Sequence, residues 1–279
     1  MRLLGLRRLL NRGQPAHGFG ADDAMAQLGG ASAGPCAKSS SAAWSPARAA
    51  LLDRLWGEGH AMPGGDAEFL RLALPLGLSA ASSVLLAGAE LGGPARALAT
   101  EFGASATALE HEAGLVALPP RFFDAAIALD TIRDRRADTV LAALTGSLKP
   151  RGQLVLLQLI ADAPLEPDEA VIAAWCACER RPPALPTSTH VTRVLARLGF
   201  DVRLVEDVSA RHIRAALRGW QNIVAELKAA RPESAEAAAL VAEAELWTRR
   251  ISLIHSGRIR LMRWHAIGHG DAAGEAVAT

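Results

Sequence analysis

The sequence predicts an α/β layered domain with a mainly parallel sheet and helices on both faces. Three observations predict it. Short apolar runs of strand length alternate with helical stretches, a glycine-rich turn joins the first run to a helix, and acids stand at the ends of later runs. Alternation of this kind builds βαβ units, whose right-handed crossovers place a ligand at the carboxyl ends of the strands.

The elements follow in chain order. Ser45-Pro46 reads as a cap followed by proline at the first helical position, after which Leu51, Leu52, Leu55 and Trp56 share one face. Gly57, Gly59, Pro63, Gly64 and Gly65 break the pattern. Asp66 is expected to cap the next helix, with Phe69, Leu70, Ala73 and Leu74 on one side. Residues 84–87 are continuously apolar, which suits a parallel strand buried on both faces. The glycine-rich turn 88–94 leads into a helix over 95–102, and 106–109 is a second strand that ends at Glu110. Residues 124–129 form a third strand ending at Asp130, followed by a helix over 135–148. Lys149-Pro150-Arg151-Gly152 turns into a long apolar strand over 153–160. Residues 163–186 read as an insertion that carries Trp175 and several prolines. Ser188 is expected to cap a helix over 191–198 that stops at Gly199. A strand over 200–205, a helical pair over 210–230 and 234–254, and a final strand over 258–267 complete the domain.

Composition narrows the function classes. A formal net charge of +1 argues against a general nucleic-acid binder, which carries a basic excess. No apolar run is long enough for an integral membrane segment. The odd set Cys36, Cys176 and Cys178 is no disulfide framework and points to a reducing, cytoplasmic compartment. No Cys or His spacing suits a metal site. The start MRLLGLRRLLNRG is basic and amphipathic but lacks the apolar core and cleavage site of a secretory signal. Residues 1–45 are therefore expected to be a disordered leader and linker, 46–268 the folded domain, and 269–279 a disordered tail.

The stretch VLLAGAELGGPAR at 84–96 resembles the first motif of class I (Rossmann-like) S-adenosylmethionine-dependent methyltransferases, in the small-molecule group with a glycine-glycine-proline turn. LKPRG at 148–152 before a long strand, and Leu198-Gly199-Phe200 before another, resemble later motifs of the same fold. The likeness runs from about Trp56 to Ile267.

The resemblance implies S-adenosylmethionine as cofactor and a small-molecule methyl acceptor. Gly88, Gly92 and Gly93 would let backbone approach the methionine end, Glu110 would accept hydrogen bonds from the ribose hydroxyls, and Asp130 would stand near the substrate pocket. Trp56 belongs to the segment that folds over the cofactor in that family, and His190, just before a helix, is a candidate general base. Each has a plainer reading: a tight turn for the glycines, a solvated strand-end acid for Glu110, a helix N-cap for Asp130, core packing for Trp56, and a structural histidine for His190.

Two departures stand out. The acid that closes the first strand is replaced by Leu86, and Glu90 stands where the motif has a glycine. Glu90 either blocks close approach or offers a substitute acid. The interval from Glu110 to Phe123 is also too short for the family's usual helix, strand and adenine-contacting acid. Loss of an internal strand would leave a gap in the sheet to be closed. Two functions follow: an active methyltransferase, or an inactive relative that acts as a binding or scaffold module for a protein partner. A nucleotide-binding oxidoreductase fits less well, because Gly88-Ala89-Glu90 breaks the phosphate-binding glycine pattern.

Overall fold

The computed structural model describes residues 45–88, 92–109, 118–133, 136–228 and 232–270. Residues 1–44 of the expected leader and 271–279 of the expected tail lie outside them, as do Glu90 and Glu110. The elements are α1 (Pro46–Trp56), α2 (Gly65–Ala73), β1 (Ser83–Ala87), α3 (Gly93–Phe102), β2 (Ser105–Leu109), β3 (Phe123–Leu129), α4 (Ala137–Gly146), β4 (Leu148–Ile160), α5 (Ala170–Glu179), α6 (Ser188–Arg197), β5 (Phe200–Asp207), α7 (Ser209–Leu227), α8 (Ser234–His255) and β6 (Arg260–Gly268).

The strands form one six-stranded sheet in the order β2-β1-β3-β4-β6-β5. The pairs from β2 through β4 are parallel, whereas β6 runs antiparallel between β4 and β5. The sheet is mainly parallel, as the alternation of runs predicts. It divides the interior into two cores. In β1, Val84 and Leu86 enter one and Leu85 and Ala87 the other, so this strand is apolar from Val84 to Ala87 because both faces are covered. Helices α1, α2, α3, α5, α7 and α8 supply the first core; α4 and α6 cover the opposite face.

Local chemistry explains the helix boundaries and corrects several expectations. Ser45 caps α1 by accepting from the Arg48 N–H at 3.3 Å, and Leu51, Leu52, Leu55 and Trp56 are all buried, as their spacing requires. Asp66 does not cap α2. The N-cap is Gly64 in the left-handed region, and Asp66 sits in the first turn. Leu74 is exposed rather than buried, because the chain tightens there into a 3-10 turn, Leu74–Leu76, that rotates it off the helical face. Thr187, not Ser188, caps α6 by accepting from the His190 N–H. The stretch 163–186 holds a full helix, α5; its run of alanines and cysteines offers no polar stripe from which a helix could be read.

The gap expected from a lost internal strand does not exist. β1 pairs directly with β2 on one side and β3 on the other. Among the described residues β2 is an edge strand, whose free backbone groups face solvent at little cost.

Candidate functional site

The carboxyl ends of β1, β3 and β4 meet beneath α2, α7 and the segment between α1 and α2. The turn after β1 is built on glycine for steric reasons. Gly88 has φ +75°, and a Cβ there would stand 2.1 Å from the Leu129 carbonyl oxygen, so the ends of β1 and β3 approach only with glycine at this point. Gly92 is the left-handed N-cap of α3, followed by Pro94 in the first turn. Gly93 is a close-approach residue: its N–H donates to the Gly59 carbonyl at 2.8 Å, and a Cβ would stand 2.6 Å from that oxygen. Arg96 adds a bond to the Glu58 carbonyl at 2.5 Å. The 57–64 segment thus lies directly on the glycine turn.

A cavity of about 50 Å³ remains below it, its lining including Met62, Phe69, Leu72, Gly88, Leu129 and Leu261. Three polar groups interrupt this apolar wall. His60 is buried and holds Asp66 through Nε2 at 2.7 Å. Arg211 is shared between Glu68, at 3.2 Å, and Glu206, at 3.4 Å. His212 is buried on α7, with its Nε2 making no hydrogen bond. Burial pushes its pKa down to about 3, with the Arg250 charge adding to the effect, so the ring is neutral at physiological pH.

Beside the cavity lies a charged lock. Asp130 itself has φ +49° and donates its N–H to the Leu157 carbonyl at 2.6 Å. Its carboxylate accepts from Gln158 Nε2 at 2.8 Å and Arg181 Nη1 at 2.9 Å. Glu179, buried at the end of α5, accepts from Trp175 Nε1 at 3.2 Å and from Arg250 Nε at 2.7 Å, while Arg133 donates to its backbone carbonyl at 2.7 Å. Burial alone would raise the Glu179 pKa, but Arg250, Arg133 and Arg181 hold it below the usual carboxylate range.

The structure therefore brings together some of the residues singled out from sequence and separates others. Gly88 lines the cavity, Gly93 sits against Gly59 and His60, which line it, and Gly92 is not among the lining residues. Asp130 is not the N-cap of α4, a place taken by Arg136; its carboxylate is committed to the lock. Trp56 does not line the cavity. It packs edge-on to Trp247 at 5.1 Å between centroids and against Gly219, where a Cβ would meet its ring at 2.5 Å. His190 is on a helix that covers the opposite face of the sheet, bound to Asp138 at 3.0 Å, and does not line the cavity either. Leu86, where the motif has an acid, is fully buried in the first core. His212 was missed by sequence reasoning, although it shares the buried face of α7 with Ile213, Ala216, Trp220 and Ile223. A histidine in that apolar stripe was the available signal. Among the described residues, no group of three or more His, Cys, Asp or Glu side chains could hold a metal ion, and no helix is long and apolar enough to cross a membrane.

No protein-family model matches the chain, and no curated protein matches it in sequence. Solved structures match in three dimensions. A phosphoethanolamine N-methyltransferase of Haemonchus contortus in complex with S-adenosyl-L-methionine superposes with a TM-score of 0.65 at 17% identity, over 78% of this chain and 56% of that one. The fold is that of class I S-adenosylmethionine-dependent methyltransferases. A putative sarcosine dimethylglycine methyltransferase of Galdieria sulphuraria matches with a TM-score of 0.62 at 13% identity, over 81% of this chain and 99% of that one. A cyclopropane synthase of Mycobacterium tuberculosis matches with a TM-score of 0.63 at 17% identity, over 80% and 94%. The chain thus spans about half the length of the nematode enzyme and nearly all of the other two.

Proposed function

We propose that the protein is an S-adenosylmethionine-dependent methyltransferase acting on a small molecule. The observation that carries this reading is the coincidence of three features at one point. The glycine turn, the apolar cavity and the overlying 57–64 segment all meet at the carboxyl ends of the parallel strands, where this fold takes its ligands. The described residues fit the cofactor through backbone more than through side chains. Gly88 and Gly93 give a surface without Cβ atoms, and the Gly93 N–H becomes a free donor once the Gly59 carbonyl withdraws. Glu110, immediately after β2, would take the ribose hydroxyls. When bound, the cofactor supplies an electrophilic methyl on sulfur. The protein's own contribution is to orient the acceptor in line and exclude water.

A second reading has its own support. The Gly93 N–H is already satisfied within the chain, Leu86 offers the cofactor's amino group no partner, and a 50 Å³ cavity is small. These features suit a binding or scaffold module that has lost catalysis. Calorimetric titration with S-adenosylmethionine and its demethylated product separates the two. The enzyme reading expects micromolar binding, weakened at least about tenfold in Glu110→Ala, since hydrogen bonds to a charged acceptor contribute about 1.5–3 kcal/mol. Absence of heat and of any thermal shift, with the protein shown to be folded, would leave the scaffold reading.

A further inference from the structure

We infer that the cavity between α2 and α7 is the acceptor pocket, that it takes an uncharged, largely apolar molecule carrying one hydroxyl, and that His212 is the residue that holds that hydroxyl. The assignment rests on the methyltransferase reading above and adds the substrate class and a binding residue to it.

The charge pattern of the wall decides the class. Among the described lining residues the carboxylate is Glu68 and the full cation is Arg211, and they pair with each other at 3.2 Å. Arg211 is engaged a second time by Glu206. His60 is tied to Asp66 outside the cavity. No lining charge is left to meet an anionic or a cationic ligand, and a bare charge entering an apolar wall would forfeit its hydration without recompense. The rest of the wall, from Met62 and Phe69 to Leu157, Val208 and Leu261, favours hydrocarbon.

His212 is the exception within that wall. Its side chain is more than nine-tenths buried and lines the cavity, and its Nε2 has no hydrogen-bond partner. A buried polar nitrogen without a partner costs stability and is kept where something else satisfies it. The ring is held by Trp247 at 5.3 Å between centroids, so its direction is fixed by packing. Because the neighbourhood resists protonation, the imidazole serves as a neutral hydrogen-bonding group. It orients the acceptor; it is not a strong base.

Four one-ring probes test the assignment on the whole protein: phenol, toluene, benzoate and benzylamine, titrated with and without S-adenosylhomocysteine and followed by imidazole ¹⁵N shifts. Phenol should bind about tenfold more tightly than toluene, its isostere without the hydroxyl, and should move the His212 resonances. Benzoate and benzylamine should bind more weakly than either. His212→Phe should erase the preference for phenol, and His212→Gln should retain part of it. Equal affinity for phenol and toluene in the wild type, preference for a charged probe, or a preference that survives in His212→Phe would overturn the assignment. The wild-type comparison decides even if a variant fails to fold. Failure of S-adenosylhomocysteine to bind counts against the methyltransferase reading alone, because the order of the four probes is measured independently of it.

Discussion

The carboxyl edge of the sheet has two halves built on opposite terms. Over β1, the chain closes on itself with lighter contacts: a backbone hydrogen bond from Gly93 to Gly59, a half-exposed Arg96 on the Glu58 carbonyl, and an apolar hollow. Over β3 and β4, the closure is ionic and buried, with Asp130 and Glu179 set among Arg133, Arg181 and Arg250. A single backbone hydrogen bond contributes about 1 kcal/mol and a solvent-exposed ion pair no more, whereas breaking a buried ion pair costs several. The same rim is therefore a fixed frame on one side and an openable cover on the other.

The largest effect should come from breaking the frame. Glu179→Ala leaves Arg250 without its closest acid in a buried place, and should cost about 3–5 kcal/mol, measured as a fall in the urea midpoint. Next comes the joint between the halves. Gly88→Ala places a Cβ against the Leu129 carbonyl at a left-handed φ, and should cost about 2–4 kcal/mol while abolishing cofactor binding. A smaller effect tests the cover's side through pH. His212 has a folded pKa of about 3 against an ordinary 6.5, so between these values the unfolded chain binds a proton that the folded chain refuses. Its stabilising contribution is complete above about pH 6.5 and declines as pH falls. Between about pH 7.5 and pH 5 the loss should approach about 2 kcal/mol. His265, held below its ordinary range by burial and by Arg263 and Arg203, works in the same direction. The diagnostic is therefore the difference between wild type and His212→Phe, whose stability should vary less with pH over this interval. Equal slopes would show that His212 does not titrate as its burial requires.

The frame and the cover were not equally legible in the sequence. Strand β1 and residues 154–160 of β4 are apolar at nearly every position because both faces are buried, and that is visible without coordinates. The glycine turn was legible too, since Gly88 and Gly92 occupy left-handed backbone that other residues rarely adopt. Asp130 was placed correctly at a strand end, but its bond to Arg181 spans 51 residues and leaves no local trace. Helix α5 was hidden because an all-alanine-like stretch has no polar face to mark its period. Trp56 was drawn as a possible ligand contact, and what sets its place is Trp247 from the far end of the chain. His212 lay in a helix whose buried face was legible, but its neighbour Trp247, 35 residues on in α8, was not.

The position of β6 has a bearing on how the chain reaches this state. The last strand in sequence is not at an edge: it lies between β4 and β5, in register with both. Until residue 260 and those after it are available, β4 and β5 have nothing to join them, and the sheet exists as two unconnected pieces. Joining β6 to β4 draws together segments about 100 residues apart, from Ile160 to Arg260, at a cost in loop entropy. On a ribosome, emerging N-terminus first, the domain would hold β5 apart from the four-stranded sheet until residues 260–268 had emerged, and a chain shortened before β6 would lose the strand that ties β5 to it.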